Sequence, residues 1–291
     1  MLSTHPTLRR LSVFASLAVA AFLAACSPVK LLNATIPTGQ MRETTDIAYG
    51  SDPRQKLDVY VPRAPARSAS GYPVVVFFYG GSWQNGRRQD YLFVAEALAS
   101  RGYIAVVPDY RTWPEVIFPG FIDDAATAVR WAHDHTAELG GDPHRFFLMG
   151  HSAGAQIAVL LATDPRYLAQ QQMSREQLAG VIGLAGPYDF LPLQDATLEK
   201  IFPPSTREES QPIRFVTRGE PPMLLAAGTD DTIVDPGNTV RMANALTAAG
   251  DTVEVLHYPG AGHIKVVAAL AAPLRSGLPV LDDVAAFIDA H

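Results

Sequence analysis

Apolar and polar residues follow two rhythms along the chain, and the change from one to the other marks the elements. Residues 56–61 set Leu57, Val59 and Val61 against Lys56, Asp58 and Tyr60, a period of two that predicts a strand with one exposed face. Residues 74–79, 104–107, 145–149, 181–184 and 223–227 are short, nearly continuous apolar runs, the pattern of strands buried on both faces. Residues 253–258 read as a further strand. Between these runs the rhythm becomes helical. Residues 90–101 carry Leu92, Phe93, Ala95, Leu98 and Ala99 at helical spacing, and Gly102 ends them. Residues 121–139 place Ala125, Ala128, Val129 and Ala132 on one face before Gly140-Gly141-Asp142-Pro143 breaks the pattern. Residues 153–162, 236–249 and 280–290 complete the helices.

Strands alternating with helices predict an α/β fold with a mostly parallel, doubly wound sheet of about eight strands flanked by helices. Residues 62–73, rich in Pro, Ala and Ser, read as a loop. Residues 187–222 interrupt the alternation with Pro192, Pro203, Pro204, Pro212 and Pro221 among charged residues. They predict a small lid-like insertion after the sixth strand, within one domain spanning 46–291.

Composition narrows the class. The chain has 291 residues, 48% of them hydrophobic and 18% charged, which is too apolar for a disordered polymer. The net charge of −6 argues against a nucleic-acid partner, which would want a basic face. Cys26 is the only cysteine, so a disulfide within the chain and a thiolate-ligated zinc or iron–sulfur site are excluded.

Arg9 and Arg10 precede an apolar run from Leu11 to Ala25, with no acidic residue before Cys26. The run is shorter than the roughly 20 residues a membrane-crossing helix needs, and small residues close it, so residues 1–25 read as an export signal. Leu23-Ala24-Ala25-Cys26 resembles the lipobox of bacterial lipoproteins, which implies cleavage before Cys26 and lipid on its sulfur. Ser27 at the next position resembles lipoproteins sent to an outer membrane. The expected location is therefore the bacterial cell envelope, anchored at the periplasmic face of the outer membrane. Residues 26–45 would be a flexible tether.

The strongest chemical signal is Gly150-His151-Ser152-Ala153-Gly154, a G-x-S-x-G pattern. It lies between a buried strand and a helix start, the context of a nucleophile elbow. A serine there sits on a sharp turn, and its neighbours two positions away must be small so that strand and helix can approach. A serine hydroxyl needs a base to become nucleophilic. Only His257, His263 and His291 follow Ser152. His257 lies inside a strand and His291 is the last residue. His263 occupies the glycine-rich loop Pro259-Gly260-Ala261-Gly262-His263 after that strand, where open α/β sheets hold their active sites. The acid that orients it should follow the strand at 223–227, where Asp230, Asp231 and Asp235 compete; spacing favours Asp231. Tyr79-Gly80-Gly81-Ser82-Trp83, also at a strand end, is flexible enough to turn backbone amides toward an oxyanion, and the Ala153 amide follows the nucleophile. No Gly-Lys-Ser/Thr accompanies the glycines, so a phosphate-binding loop is not indicated.

With these residues in place, the stretch from Lys56 onward resembles the α/β-hydrolase superfamily, and within it the esterase branch with an H-G-G-x-W loop. That branch includes carboxylesterases, feruloyl-esterase-like proteins, isoprenylcysteine methylesterases and kynurenine-formamidase-like enzymes. Gly80-Gly81-Ser82-Trp83, Val107-Pro108-Asp109-Tyr110-Arg111 and Gly141-Asp142-Pro143 leading to the serine motif carry the resemblance. It implies hydrolysis of a small-molecule ester by a serine triad, Ser152, His263 and Asp231, without cofactor or metal. It places the oxyanion donors at Gly81 and Ser82 beside Ala153. The chain departs from the family at Tyr79, where a loop-bracing histidine is usual. Two other readings remain: the same triad acting on an N-formyl amide, as in arylformamidases, and an inactive envelope lipoprotein that only binds.

Trp83 and His151 are candidate substrate contacts, with core packing the competing role for Trp83. Phe190, Leu191, Leu193 and Phe202 either line an acyl pocket or pack the insertion to the core. His133 and His135, two apart on a helix, point to different faces and make a poor metal pair.

Overall fold

The apolar runs pair into one sheet. The computed structural model describes residues 28–291; the expected export signal and Cys26 lie outside the described residues. Pro28–Asn33 is a short helix, described by itself. Among the described residues, no helix is long and apolar enough to cross a membrane. From Ile36 onward the strands are β1 (Met41–Ala48), β2 (Lys56–Pro62), β3 (Tyr72–Phe78), β4 (Ile104–Pro108), β5 (Gly141–His151), β6 (Gly180–Leu184), β7 (Met223–Gly228) and β8 (Val253–Tyr258). Their order in the sheet is β1-β2-β4-β3-β5-β6-β7-β8. The β1–β2 and β2–β4 pairs are antiparallel. All later pairs are parallel. This is the α/β-hydrolase arrangement. β3 to β7 are buried along nearly their whole length, because helices cover both faces of a parallel sheet.

The helices are α1 (Leu92–Ser100), α2 (Gly120–His135), α3 (Ala153–Thr163), α4 (Pro165–Gln170), α5 (Ala196–Ile201), α6 (Gly237–Ala249), α7 (His263–Ala268) and α8 (Val280–Ala290). Every residue of α3 is buried, as expected of a helix apolar on all sides. α3 leaves β5 directly through Ser152. The carboxyl ends of β3, β5, β7 and β8 lie at one end of the sheet, and so do the Tyr79, Ser152, Asp231 and His263 loops that follow them.

Three details differ from the sequence reading. The tether expected to extend to residue 45 already contains β1, whose Met41 and Arg42 pair with Pro62 and Val61. β1 is an edge strand exposed at most positions, so it lacks the apolar alternation that would have marked it. β2 is buried on both faces rather than one: Asp58 is 1% exposed because it accepts from Arg88 Nε and from the Asp46 amide. β5 begins at Gly141, in the stretch read as a helix-breaking turn, since Tyr72 pairs with Gly141. The 187–222 insertion does lie between β6 and β7 and contains α5 with two short 3-10 turns at Arg207–Ser210 and Pro212–Phe215.

Candidate active site

Ser152 has φ 57° and ψ −125°, a conformation costly to a residue with a Cβ, by about 1–3 kcal/mol. The surroundings enforce it. Its amide donates to the Leu184 carbonyl at 2.9 Å, and its carbonyl accepts from Ala155 at 2.9 Å. A Cβ on Gly150 would stand 2.1 Å from the Gly154 carbonyl oxygen, and one on Gly154 2.1 Å from the Phe78 carbonyl oxygen. Backbone meets backbone at both points, so the two glycines allow β5, α3 and the end of β3 to converge on the serine. Ser152 is 8% exposed and lines a cleft.

His263 opens α7 after an extended Gly262, so the sequence-predicted loop ends one residue earlier than expected. Its Nδ1 donates to Asp231 Oδ2 at 2.7 Å. The other Asp231 oxygen accepts the amides of Ile233 and Val234, each at 2.9 Å. With both oxygens engaged the carboxylate has one orientation, and in the neutral imidazole this bond places the proton on Nδ1, leaving Nε2 free to accept one. The two rival aspartates face elsewhere. Asp230 is exposed and accepts from the Thr229 hydroxyl, while Asp235 accepts from the Gly237 amide and Arg241. His257 is exposed on β8. The Ser152 hydroxyl and His263 are not hydrogen-bonded to each other.

The loop after β3 is built of positive-φ residues: Gly81 at 139°, Ser82 at 53° and Trp83 at 58°. A Cβ on Gly81 would lie 2.1 Å from the Asn85 carbonyl oxygen, and the Gly81 carbonyl accepts the amides of Gln84 and Asn85 at 3.0 Å. This tight turn leaves the Gly81 and Ser82 amides without an acceptor in the protein, next to Ala153 at the start of α3. Such unpaired amides are what an oxyanion requires.

Tyr79 roots this loop. Its ring is fully buried between Tyr91, at 5.3 Å, and Tyr110, at 4.8 Å, both stacked. Its hydroxyl donates to Asp109 Oδ1 at 2.7 Å, and its carbonyl accepts the Tyr110 hydroxyl at 2.7 Å. Burial pushes the phenol pKa well above its ordinary value, so it remains a donor. Asp109 also pairs with Arg88, whose other contacts are Asp58 and Asp46. Arg54 reaches the Tyr110 carbonyl at 2.6 Å and the Gly86 carbonyl at 2.8 Å.

A family model, BD-FAE, matches residues 57–246. The chain belongs to the BD-FAE family. Among curated proteins, it is 29% identical over 80% of its length to a probable isoprenylcysteine alpha-carbonyl methylesterase of Arabidopsis thaliana, covering 52% of that protein. It is 31% identical over 75% of its length to the esterase LipC of Mycobacterium tuberculosis, covering 58% of it. The chain thus spans little more than half the length of these relatives. Among solved structures, the fold resembles a phosphonate-inhibited esterase B from Lactobacillus rhamnosis, with TM-score 0.78, 21% identity and coverage of 99% of this chain and 96% of that one. It also resembles the carboxylesterase EstE1, with TM-score 0.72, 22% identity and coverage of 90% and 93%.

In this BD-FAE member the cleft beside Ser152 measures about 430 Å³. Trp83, Phe190, Leu191 and Leu193 give it apolar walls, and Asp189, Asn238 and Arg241 close its polar end. Trp83 lines the cleft, yet it is 4% exposed and packs against Phe202 at 4.8 Å. Its indole N–H donates to Gln156, which donates in turn to the Ser210 carbonyl, tying loop, α3 and insertion together. Phe202 is wholly buried and packs the insertion to the core. His151 does not line the cleft: it is 2% exposed and turned against His263. In place of the expected contact with substrate, its ring meets His263 and its Nε2 lies 3.2 Å from the His263 carbonyl oxygen. Asp109 meets the Arg88 guanidinium and amide, as an aspartate in this fold is expected to, but its bond with Tyr79, 30 residues away, leaves no local sequence pattern. The Tyr79 departure from the family loop was the signal that pointed to it.

Proposed function

We propose that this BD-FAE member is a serine carboxylic-ester hydrolase acting on esters with small to medium acyl groups. Ser152 Oγ attacks the ester carbonyl carbon while His263 Nε2 takes its proton. The amides of Gly81, Ser82 and Ala153 hold the oxyanion, each donor worth roughly 3 kcal/mol in the transition state. The imidazolium then protonates the leaving alcohol, and an acyl-Ser152 intermediate remains. Water, deprotonated by His263, attacks that acyl group; the acid leaves and Ser152 regains its proton. Asp231 keeps the imidazole in the required tautomer throughout.

The observation that carries this reading is the 2.7 Å Asp231–His263 bond at the same sheet end as the strained Ser152. A cleft of about 430 Å³ is within the range of small-molecule sites. The esterase names of the family relatives agree with it. A fluorophosphonate probe is expected to add one label that Ser152→Ala abolishes, and nitrophenyl esters of graded chain length are expected to be cleaved best at short to medium length. Labelling at another residue, or none on folded protein, overturns the proposal. Faster turnover of formyl-anilides than of matched aryl esters would move the assignment to the amide.

For location, we propose that residues 1–25 are removed and that Cys26 carries lipid at the cell envelope. The basic start, short apolar run and Leu23-Ala24-Ala25-Cys26 support this. Metabolic palmitate labelling should disappear in Cys26→Ala; unchanged labelling refutes the anchor.

A further inference from the structure

His151 sits inside the elbow, between Gly150 and Ser152, yet is buried and does not itself line the cleft. Its imidazole packs against that of His263, with ring centroids 4.7 Å apart and planes tilted by 44°. Its Nε2 lies 3.2 Å from the His263 carbonyl oxygen. A carbonyl can only accept, so the His151 proton is on Nε2 and Nδ1 is bare. That Nδ1 is buried and has no hydrogen-bond partner. It faces the oxyanion loop: a Cβ on Gly80 would come within 3.2 Å of it and within 2.9 Å of Ser152 Cβ. One ring thus touches all three parts of the proposed machinery, namely the elbow, the start of α7 and the root of the oxyanion loop.

We propose that His151 is a positioning residue that, by donating from Nε2 to the main chain of His263, registers the base against the nucleophile. The inference rests on the triad reading above. The donor arises from the residue beside Ser152 and ends on the residue that bears the imidazole, so it constrains the one separation that the Asp231 bond leaves free. Asp231 fixes the tilt and tautomer of His263 from the acid loop. His151 fixes where the first turn of α7 sits relative to the elbow.

The ring does this uncharged. Burial, and secondarily the neighbouring His263 imidazole, hold its pKa down to about 3, while the hydrogen bond to the His263 carbonyl and, less, the Asp231 carboxylate only partly oppose them. His263 and Asp231 are the titratable groups that face it; Gly80 and the elbow contribute none. The uncharged ring therefore adds no repulsion 4.7 Å from the imidazolium that forms during attack. A residue able to donate one hydrogen bond without carrying a positive charge meets both needs, and the orphaned Nδ1 is the cost of using a histidine for them.

The test compares His151→Phe, which keeps ring volume without a donor, with His151→Gln, which keeps a donor of similar reach. On a short-chain nitrophenyl ester, His151→Phe is expected to lower kcat about tenfold with KM within about twofold, since only alignment is lost. His151→Gln should recover most of the loss, and the rate of fluorophosphonate labelling at Ser152 should follow kcat. Equal losses in both variants would assign the ring to packing, and wild-type kcat in His151→Phe would remove the role altogether. If His151→Phe does not fold, His151→Gln against the shorter His151→Asn makes the same comparison: equal kcat in that pair overturns the proposal, and a selective loss in His151→Asn supports it. Absence of labelling at Ser152 in the wild-type protein would instead count against the triad, so the two failures are distinguishable.

Discussion

The Tyr79 hydroxyl donates to the Asp109 carboxylate at 2.7 Å, and through that bond the loop carrying the proposed oxyanion amides is fastened to a buried arginine. Where the sequence resemblance implies a histidine, a phenol stacked between Tyr91 and Tyr110 stands instead. The brace is an aromatic sandwich with one polar end. It keeps Gly81 and Ser82 in the positive-φ turn that frees their amides.

Tyr79→Phe preserves the stack and deletes the bond. It leaves the buried Asp109 with the Arg88 contacts alone. A loss of about 1–2 kcal/mol in unfolding free energy is expected. A fall of roughly three- to tenfold in kcat should accompany it, as the loop amides lose alignment. Urea denaturation and ester kinetics on the same preparation measure both; an unchanged kcat with reduced stability would confine Tyr79 to the core.

Asp231→Asn separates the proposed acid from its two neighbours. The amide oxygen can still accept the amides of Ile233 and Val234, so the loop should stay folded. The imidazole loses the carboxylate that selects its tautomer, and kcat is expected to fall on the order of 10³-fold or more. Asp230→Asn and Asp235→Asn, whose carboxylates face away from His263, should change kcat less than about threefold. A large loss in either of those would displace Asp231 from the role.

Gly154→Ala is expected to cost about 3 kcal/mol or more, visible as a lowered denaturation midpoint or loss of folded protein. The added carbon would stand 2.1 Å from the Phe78 carbonyl oxygen, and main chain cannot move aside as a flexible side chain can. Near-wild-type stability would mean that β3 and α3 can separate without cost.

His151 makes stability depend on acid. It is buried uncharged with a pKa near 3, against about 6.5 in the unfolded chain. Above that higher value both states are neutral and the group has no effect. As pH falls from about 6.5 toward 3, the unfolded state takes up a proton that the folded state refuses, so stability declines, by roughly 4 kcal/mol over the window. Urea unfolding at pH 7, 5 and 4 should show a smaller decline in His151→Gln than in the wild type. Parallel pH slopes for the two proteins would contradict the buried neutral ring.

Much of this was readable from local pattern. The runs at 74–79, 145–149 and 223–227 gave strands because a strand covered on both faces has no polar position to disguise it. Ser152 was legible since an elbow demands glycine at both flanks within five residues. His263 followed by elimination, being the one late histidine in a glycine-rich strand-end loop. β1 was not legible, because an exposed edge strand owes its pairing to β2 and carries no apolar stripe of its own. Nor could spacing separate three aspartates inside one turn: only the fold shows which carboxylate meets His263.

By itself, then, the sequence determined what depends on neighbours in the chain: the order of strands and helices, the glycines that permit the turn, and the serine held on it. Tertiary structure decided what depends on approach across the sheet. It brought Asp231 to His263, turned His151 from the cleft onto His263, and gave Tyr79 its partner in Asp109. Those contacts join residues 30 to 112 positions apart. Hydrogen bonds are made over about 3 Å, so no local pattern records them until the strands have paired.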